Sequence, residues 1–284
     1  MQNIEKSIEI LKVWIMKQPH LTCNISDLLL RKFLIASNYS IEVAKELIDI
    51  FYTLRLRTPE LFANRNFYDA EIQDSIEIVD ILKLPKLLGT SQILVARLNS
   101  TDIDKYHFQA ALRMFTIFDD VQLTTDETFN DHDIVLIDLC GFTMKHLSKL
   151  SLTLTKKVLD YIQEARPANL KAVHFINVPN FMDKIFGMVK PFVRNNVMNM
   201  IHFHLPNSTA LYDHIPKELL PEEYGGTCGT IAEYKQEWLQ IVTENQSMVT
   251  AESYWKIDES KRINKSNYEE KFSTPGSFKK LDID

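Results

Sequence analysis

The hydrophobic period of this chain changes once, near Gln92, and that change limits its fold more than any other feature. Before it, apolar residues recur at helical spacing: Ile4, Ile8, Leu11 and Ile15, then Leu29, Leu30, Phe33 and Leu34, then Ile41, Ala44, Ile48 and Phe51. Pro19 closes the first helix, and Ser26-Asp27 and Ser40 offer N-caps to the next two. Thr58-Pro59-Glu60 reads as another start, with Thr as cap, Pro first in the helix and an acid at the positive end of the dipole. No strand is expected before Ile93. After it, short apolar runs at 93–98, 134–139, 172–177 and 201–205 alternate with helical segments at 106–118 and 150–165. Runs of this length between helices are the signature of strands in a sheet that helices cover, so the predicted class is α/β behind a small all-helical front. A Pro- and Gly-marked turn over 218–226 precedes a helix over 231–242. The expected domains are a helical region at 1–85, an α/β domain at 86–243, and a polar tail at 244–284, extended, mobile or wrapped along the surface.

Several function classes fall away on composition and motif. The net charge is −6 and no basic block interleaved with aromatics occurs, so no nucleic-acid partner is expected. Cys23, Cys140 and Cys228 are scattered, without metal-ligand spacing, which fits reduced thiols and a cytoplasmic protein. The charged N-terminus is not that of a signal peptide, and no run approaches the ~18 apolar residues of a spanning helix. With 7 glycines in 284 residues, neither G-x-G-x-x-G nor a P-loop is present, and G-x-S-x-G is missing too. Nothing points to a cofactor, a resident metal or catalysis, so the protein is not expected to be an enzyme.

The stretch over 172–205 holds the most specific pattern. Phe181, Met182, Ile185, Phe186, Met188, Val189, Phe192 and Val193 share one helical face, while Asp183, Lys184, Gly187 and Lys190 share the other. Such a stripe belongs first to an ordinary core helix; a lid over an apolar ligand is the sharper alternative, and the stripe alone leaves both open. His202 and His204 point to one side of a strand and lack a third metal ligand at sensible spacing, so packed or rim histidines are expected. Asp138, after an apolar strand and before Gly141, is expected to bond turn amides, and His174 to be a satisfied core histidine.

Four separated segments, DLLLRKFLIASNYSIEVAKELI, IVLIDLCGFTMKHL, VHFINVPNFMDKIFGMVKPFV and HIPKELLPEEYGG, resemble in order and spacing the landmarks of the CRAL-TRIO family. The resemblance runs from about Leu28 to Trp238. It is closest to the tocopherol-transfer and retinaldehyde-binding branch, above all its insect members, whose tails end like GSFKKLDID here. It implies a mostly parallel sheet, an apolar cavity, and a mobile helical gate at 180–200. It also implies cavity positions at Leu112, Phe115, Asp119, Leu150, Tyr161, Ile162, Leu170 and Val173. Phe115 and Asp119 depart from the serines of tocopherol carriers; a buried Asp119 needs a partner or a raised pKa, and the alternative is that it turns to solvent.

The implied function is a cytosolic carrier of a small hydrophobic ligand, such as a retinoid, tocopherol, carotenoid or other isoprenoid, exchanged with membranes transiently. An alternative is an interaction module that holds a structural lipid and works through its surface or its tail. Lys171, Lys184, Lys190 and Arg194 are the basic residues expected to meet anionic headgroups. Tocopherol carriers recognise phosphoinositides through four basic positions, which here are Asn169, Lys171, Asn196 and Met200. Only one charge is kept, so weak or no phosphoinositide recognition is expected. A monomer is expected.

Overall fold

The computed structural model describes residues 4–263. The front of the chain is helical: α1 (Ile4–Met16), α2 (Asp27–Ala36), α3 (Ile41–Arg57), α4 (Pro59–Phe62) and α5 (Ala70–Ile78). The apolar faces of α1 to α3 close on one another around Leu11, Leu29, Phe33, Ile48 and Phe51, all fully buried. Ser26 and Ser40 cap as expected, accepting from the amides of Leu29 and Val43. Thr58 does not: its hydroxyl turns back to donate to the Leu54 carbonyl at 2.7 Å, and only Pro59 marks the start of α4.

The remaining elements are β1 (Val79–Lys83), β2 (Ser91–Leu98), α6 (Phe108–Thr125), β3 (His132–Asp138), α7 (Met144–Ser148), α8 (Leu152–Asp160), β4 (Leu170–Ile176), α9 (Met182–Val189), α10 (Asn195–Met198), β5 (Ile201–Phe203), α11 (Ile231–Thr250) and α12 (Glu252–Trp255). A single π turn, Tyr161–Ala165, continues α8. The five strands lie in sequence order in one sheet; β2 to β5 run parallel, as expected of an α/β fold, and β1 runs antiparallel at the edge.

β1 corrects the expectation that no strand precedes Ile93. It follows α5 without a break and pairs Val79 with Leu98 and Lys83 with Leu94. Its alternation, with Asp80 and Leu82 buried between half-buried neighbours, spans five residues and merges with the helical spacing before it. A window that short cannot separate period two from period 3.6. The segment after Glu244 differs as well. α11 runs on to Thr250, and Trp255 and Ile257 are buried in the N-terminal core, so this part is helical and docked rather than extended. The GSFKKLDID ending lies outside the described residues.

Parallel register sorts the sheet into two faces. Ile93 with Ile134, and Val95 with Leu136 and His174, look toward Leu211, Ile215, Leu220 and Ile231, and most of these side chains are buried. On the other face, Leu94 is buried under α6, whereas Val135 with Val173 and Ile201, and Ile137 with Phe175, stay half-buried. One face is thus a closed core, and part of the other is not.

Candidate functional site

The 180–200 segment lies over that incompletely covered face. Phe175 stacks on Phe203 at 5.5 Å, and Phe186 of α9 meets Phe203 edge-on at 5.1 Å. Phe181, Met182, Ile185, Phe186, Val189, Phe192 and Val193 are each half-buried, Met188 is exposed, and neither α9 nor the turn after it has a buried residue. A core helix with a stripe this wide would bury part of it completely, because close packing on one side of a helix excludes water there. This helix only rests on its neighbours. Gly187, on the opposite, polar face, has open space around it.

The far end of the 180–200 segment is held by the π turn. The Gln163 side chain donates to the Phe192 carbonyl at 3.0 Å and accepts from the Arg194 amide at 2.8 Å, and Arg194 pairs with Glu164. A π turn swings successive side chains off the α-helical register, which lets adjacent residues face one partner. No periodicity in the sequence singles out Gln163. The proline-bearing turn Lys190–Phe192 between α9 and α10 offers the carbonyl that it grips.

The eight expected cavity residues come from four segments. Leu112, Phe115 and Asp119 lie on α6, Leu150 just before α8, Tyr161 and Ile162 on the π turn, and Leu170 and Val173 on β4. Leu112, Phe115, Leu150, Ile162, Leu170 and Val173 are half-buried, and Val173 belongs to the incompletely covered row. Asp119 and Tyr161 are fully buried and bonded to each other at 2.6 Å. Arg166 donates to Asp119 at 2.6 Å and also pairs with Asp133, so the charge of Asp119 is met within the fold. Burial and the neighbouring Asp119 push the Tyr161 phenol well above its ordinary range, keeping it a neutral donor. Its ring packs on Phe51 and Phe62 of the N-terminal helices. Arg166, the partner Asp119 requires, stands past the end of a helical run where spacing gives no sign of it.

Of the four expected basic contacts, Lys171, Lys184, Lys190 and Arg194 are exposed. Lys171 donates to Ser91 at 3.2 Å, and Arg194 is held by Glu164 as above. Asn169 and Met200 are half-buried and Asn196 is exposed, so Lys171 has no cationic companion at those positions.

The remaining sequence candidates have plain roles. Asp138 accepts from the Cys140 amide and the Asn177 side chain, each at 2.8 Å, which fastens the turn after β3. His174 is buried and bonded to His204 at 3.0 Å, His202 stacks on it, and His214 lies tilted against both His174 and His202. Among the described residues, no three His, Cys, Asp or Glu side chains are placed to hold a metal ion. Two open clefts, of about 400 and 680 Å³, lie elsewhere, between α3–α4 and α11–α12 and between α6 and α11. None of the eight cavity candidates lines either cleft.

Among the described residues no helix is long and apolar enough to cross a membrane. The profile of a family described as CRAL/TRIO domain matches residues 90–226, and one described as Pinta-like, UBA domain matches residues 1–72. An alpha-tocopherol transfer protein-like protein of Mus musculus is 25% identical over 228 residues, 80% of this chain and 66% of that protein. Clavesin-1 of Rattus norvegicus is 26% identical over 203 residues, 71% of this chain and 57% of the relative. The matched stretch therefore spans less than two thirds of either relative. A solved structure, that of Sfh5, aligns with 87% of this chain and 99% of its own at 15% identity and a TM-score of 0.48. With a mixed five-stranded sheet and a profile match centred on that sheet, residues 90–226 of the chain form a CRAL/TRIO domain.

Proposed function

We propose that this protein carries a small hydrophobic molecule between α9 and the half-buried face of the sheet, and exchanges it with membranes by lifting the 180–200 segment. One observation carries the reading: a helix with a wide apolar face lies over an apolar stretch of sheet, and neither surface is buried. Removing such surface from water yields about 25 cal/mol per Å², so a guest of retinoid or tocopherol size would supply the burial that the two faces do not give each other. The lid needs no covalent chemistry. Its exposed Lys184 and Lys190 are positioned to meet anionic headgroups when the apolar face turns to the bilayer.

The ligand class takes support from the name of the tocopherol transfer protein-like relative and from the family match. Lining by Leu112, Phe115, Leu150, Ile162, Leu170 and Val173 is part of the proposal. So is a carboxylate–tyrosine pair, Asp119 and Tyr161, closing the space behind them. Helical front, α/β domain and C-terminal segment act as one cytoplasmic monomer in this reading, with little headgroup discrimination because Lys171 stands alone.

Organic extraction of the purified protein, with mass spectrometry of the extract, tests the function. One stoichiometric apolar molecule that exchanges with vesicles is the expected result. A lipid that never exchanges would turn the protein into an interaction module, and an empty extract from protein that also fails to take up added retinoid or tocopherol would overturn the carrier. In a liposome assay, binding should not depend on phosphoinositide headgroups; strong headgroup-specific binding lost in Lys171→Ala would contradict that part.

A further inference from the structure

Four of the chain's eight histidines gather where the chain leaves the gate. His174 lies in the middle of β4 and His202 opposite it in β5, with their rings stacked 4.8 Å apart. His204 stands one residue past β5, and its Nε2 meets Nδ1 of His174 at 3.0 Å. His214, from the end of the turn Ala210–Asp213, brings its ring centre to 4.9 Å from His174, 4.8 Å from His202 and 6.0 Å from His204. His174 and His204 are buried, His202 half-buried and His214 exposed, so protons arrive from one side while the inner rings stay dry.

This arrangement holds only while the rings are neutral. A hydrogen bond between two imidazoles needs a lone pair on one of them, and stacked rings that both carry charge repel. The ionisable groups facing His174 are His202, His204 and His214, and those facing His204 are His214 and His202; no carboxylate is among them. Burial first, and the other histidines second, push His174 down to about 3 and move His204 in the same direction.

The cluster sits on the weakest part of the sheet. β5 is a three-residue edge strand that pairs with β4 alone. The Val173 amide donates to Met200 and the His204 amide to Phe175, both at 2.8 Å. Two residues separate β5 from α10, the last helix of the gate. Loosening β5 therefore frees one end of the gate.

We propose that the four-histidine cluster is an acid-triggered joint: in mild acid its protonation parts β5 from β4 and releases the gate, discharging a bound apolar molecule. The discharge rests on the carrier reading above, whereas the opening of the strand does not. The sign follows from linkage. A histidine held below its ordinary value of 6.5 supports the closed pairing above that pH and withdraws support as pH falls toward its folded value. Each proton taken up on opening shifts the closed-to-open ratio about tenfold per pH unit in that window.

Hydrogen exchange of the full chain, in chelator and corrected for intrinsic rates, tests the joint at pH 7.5 and 5.5. Protection of residues 200–205 should fall about tenfold or more in the wild type, with α2 and α3 unchanged. The His174→Gln/His204→Gln double variant, which removes both histidines held below their ordinary value, should keep its protection to within about threefold. Should that variant not fold, His204→Gln alone, which removes one of the two, should show an intermediate loss. Unchanged protection in the wild type, equal losses in the variants, or loss in α2 and α3 as well would each overturn the proposal. Retention of NBD-labelled tocopherol, followed over the same pH range, reads the discharge: release should track the exchange at 200–205. Release without strand opening would overturn the link, and a probe that never binds would fail the carrier reading while the exchange result still decides the joint.

Discussion

Asp120 has no exposure to solvent, and guanidinium groups take both its oxygens. Arg55 binds it with two parallel bonds of 2.7 Å, and Arg65 adds a third contact. Two cations share one carboxylate, and the surplus charge is met by the rings of Phe62 and Trp255, 4.2 and 4.1 Å from the Arg55 guanidinium, and by backbone carbonyls around Arg65. Asp120→Ala would leave two buried cations unpaired, so a loss of about 3–5 kcal/mol is expected in urea unfolding. Burial alone would raise the Asp120 carboxyl, but Arg55 and Arg65 reverse this and hold it below its ordinary 3.8. Its contribution is therefore complete above about pH 4 and lost as the pH falls further, a slope that should flatten in Asp120→Asn. In sequence, Asp119-Asp120 directly follow the apolar Ile117-Phe118 within α6, which places acids beside core positions where they need partners. Their arginines lie 47 to 65 positions away, where spacing says nothing.

At the scale of the element, α9 rests on the sheet through Phe186 and the π turn holds the segment after it through Gln163. Phe186→Asp puts a charge on the face that rests on Phe203, and loss of that apolar contact should speed ligand release about tenfold. Unchanged transfer kinetics would return α9 to the ordinary core. Gln163→Leu removes two hydrogen bonds to the end of the gate, each worth about 0.5–1.5 kcal/mol, and should raise amide exchange over 190–194 about tenfold or more. Glu164→Gln should do less, since its pair with Arg194 is exposed and such pairs contribute little. The apolar stripe of α9 was legible because it has a period. The hold of Gln163 was not, because one glutamine in a polar turn carries no pattern.

Across the whole molecule, the C-terminal segment ties the helical front to the α/β domain. Trp255 donates to the Met248 carbonyl, lies over Arg55 and joins the core of α1 to α3, while α11 packs on α6. Trp255→Ala should cost about 3–5 kcal/mol in urea unfolding, as for other buried aromatics, whereas exposed Lys256→Ala beside it should stay within about 0.5 kcal/mol. A similar loss at both positions would show that the segment is not docked in this way. Composition suggested a polar tail here, because four apolar residues, Met248, Val249, Trp255 and Ile257, are too few to mark it as core until the surface that receives them is known.

The sequence by itself determined the helical front, the switch to an α/β sheet, the apolar stripe of α9 and the lack of phosphate-binding or nucleophile motifs, since each is a local period or a fixed spacing. Only the tertiary structure decided that β1 joins the sheet, that Arg166 answers Asp119, that Gln163 bonds the Phe192 carbonyl and that four histidines from 174 to 214 meet. Those facts depend on which distant residues share a face after folding, and chain spacing carries no information about that. The half-buried state of α9 belongs to the second group too. Its stripe marks an apolar surface, but whether that surface closes on protein or on a guest is fixed by the elements beneath it.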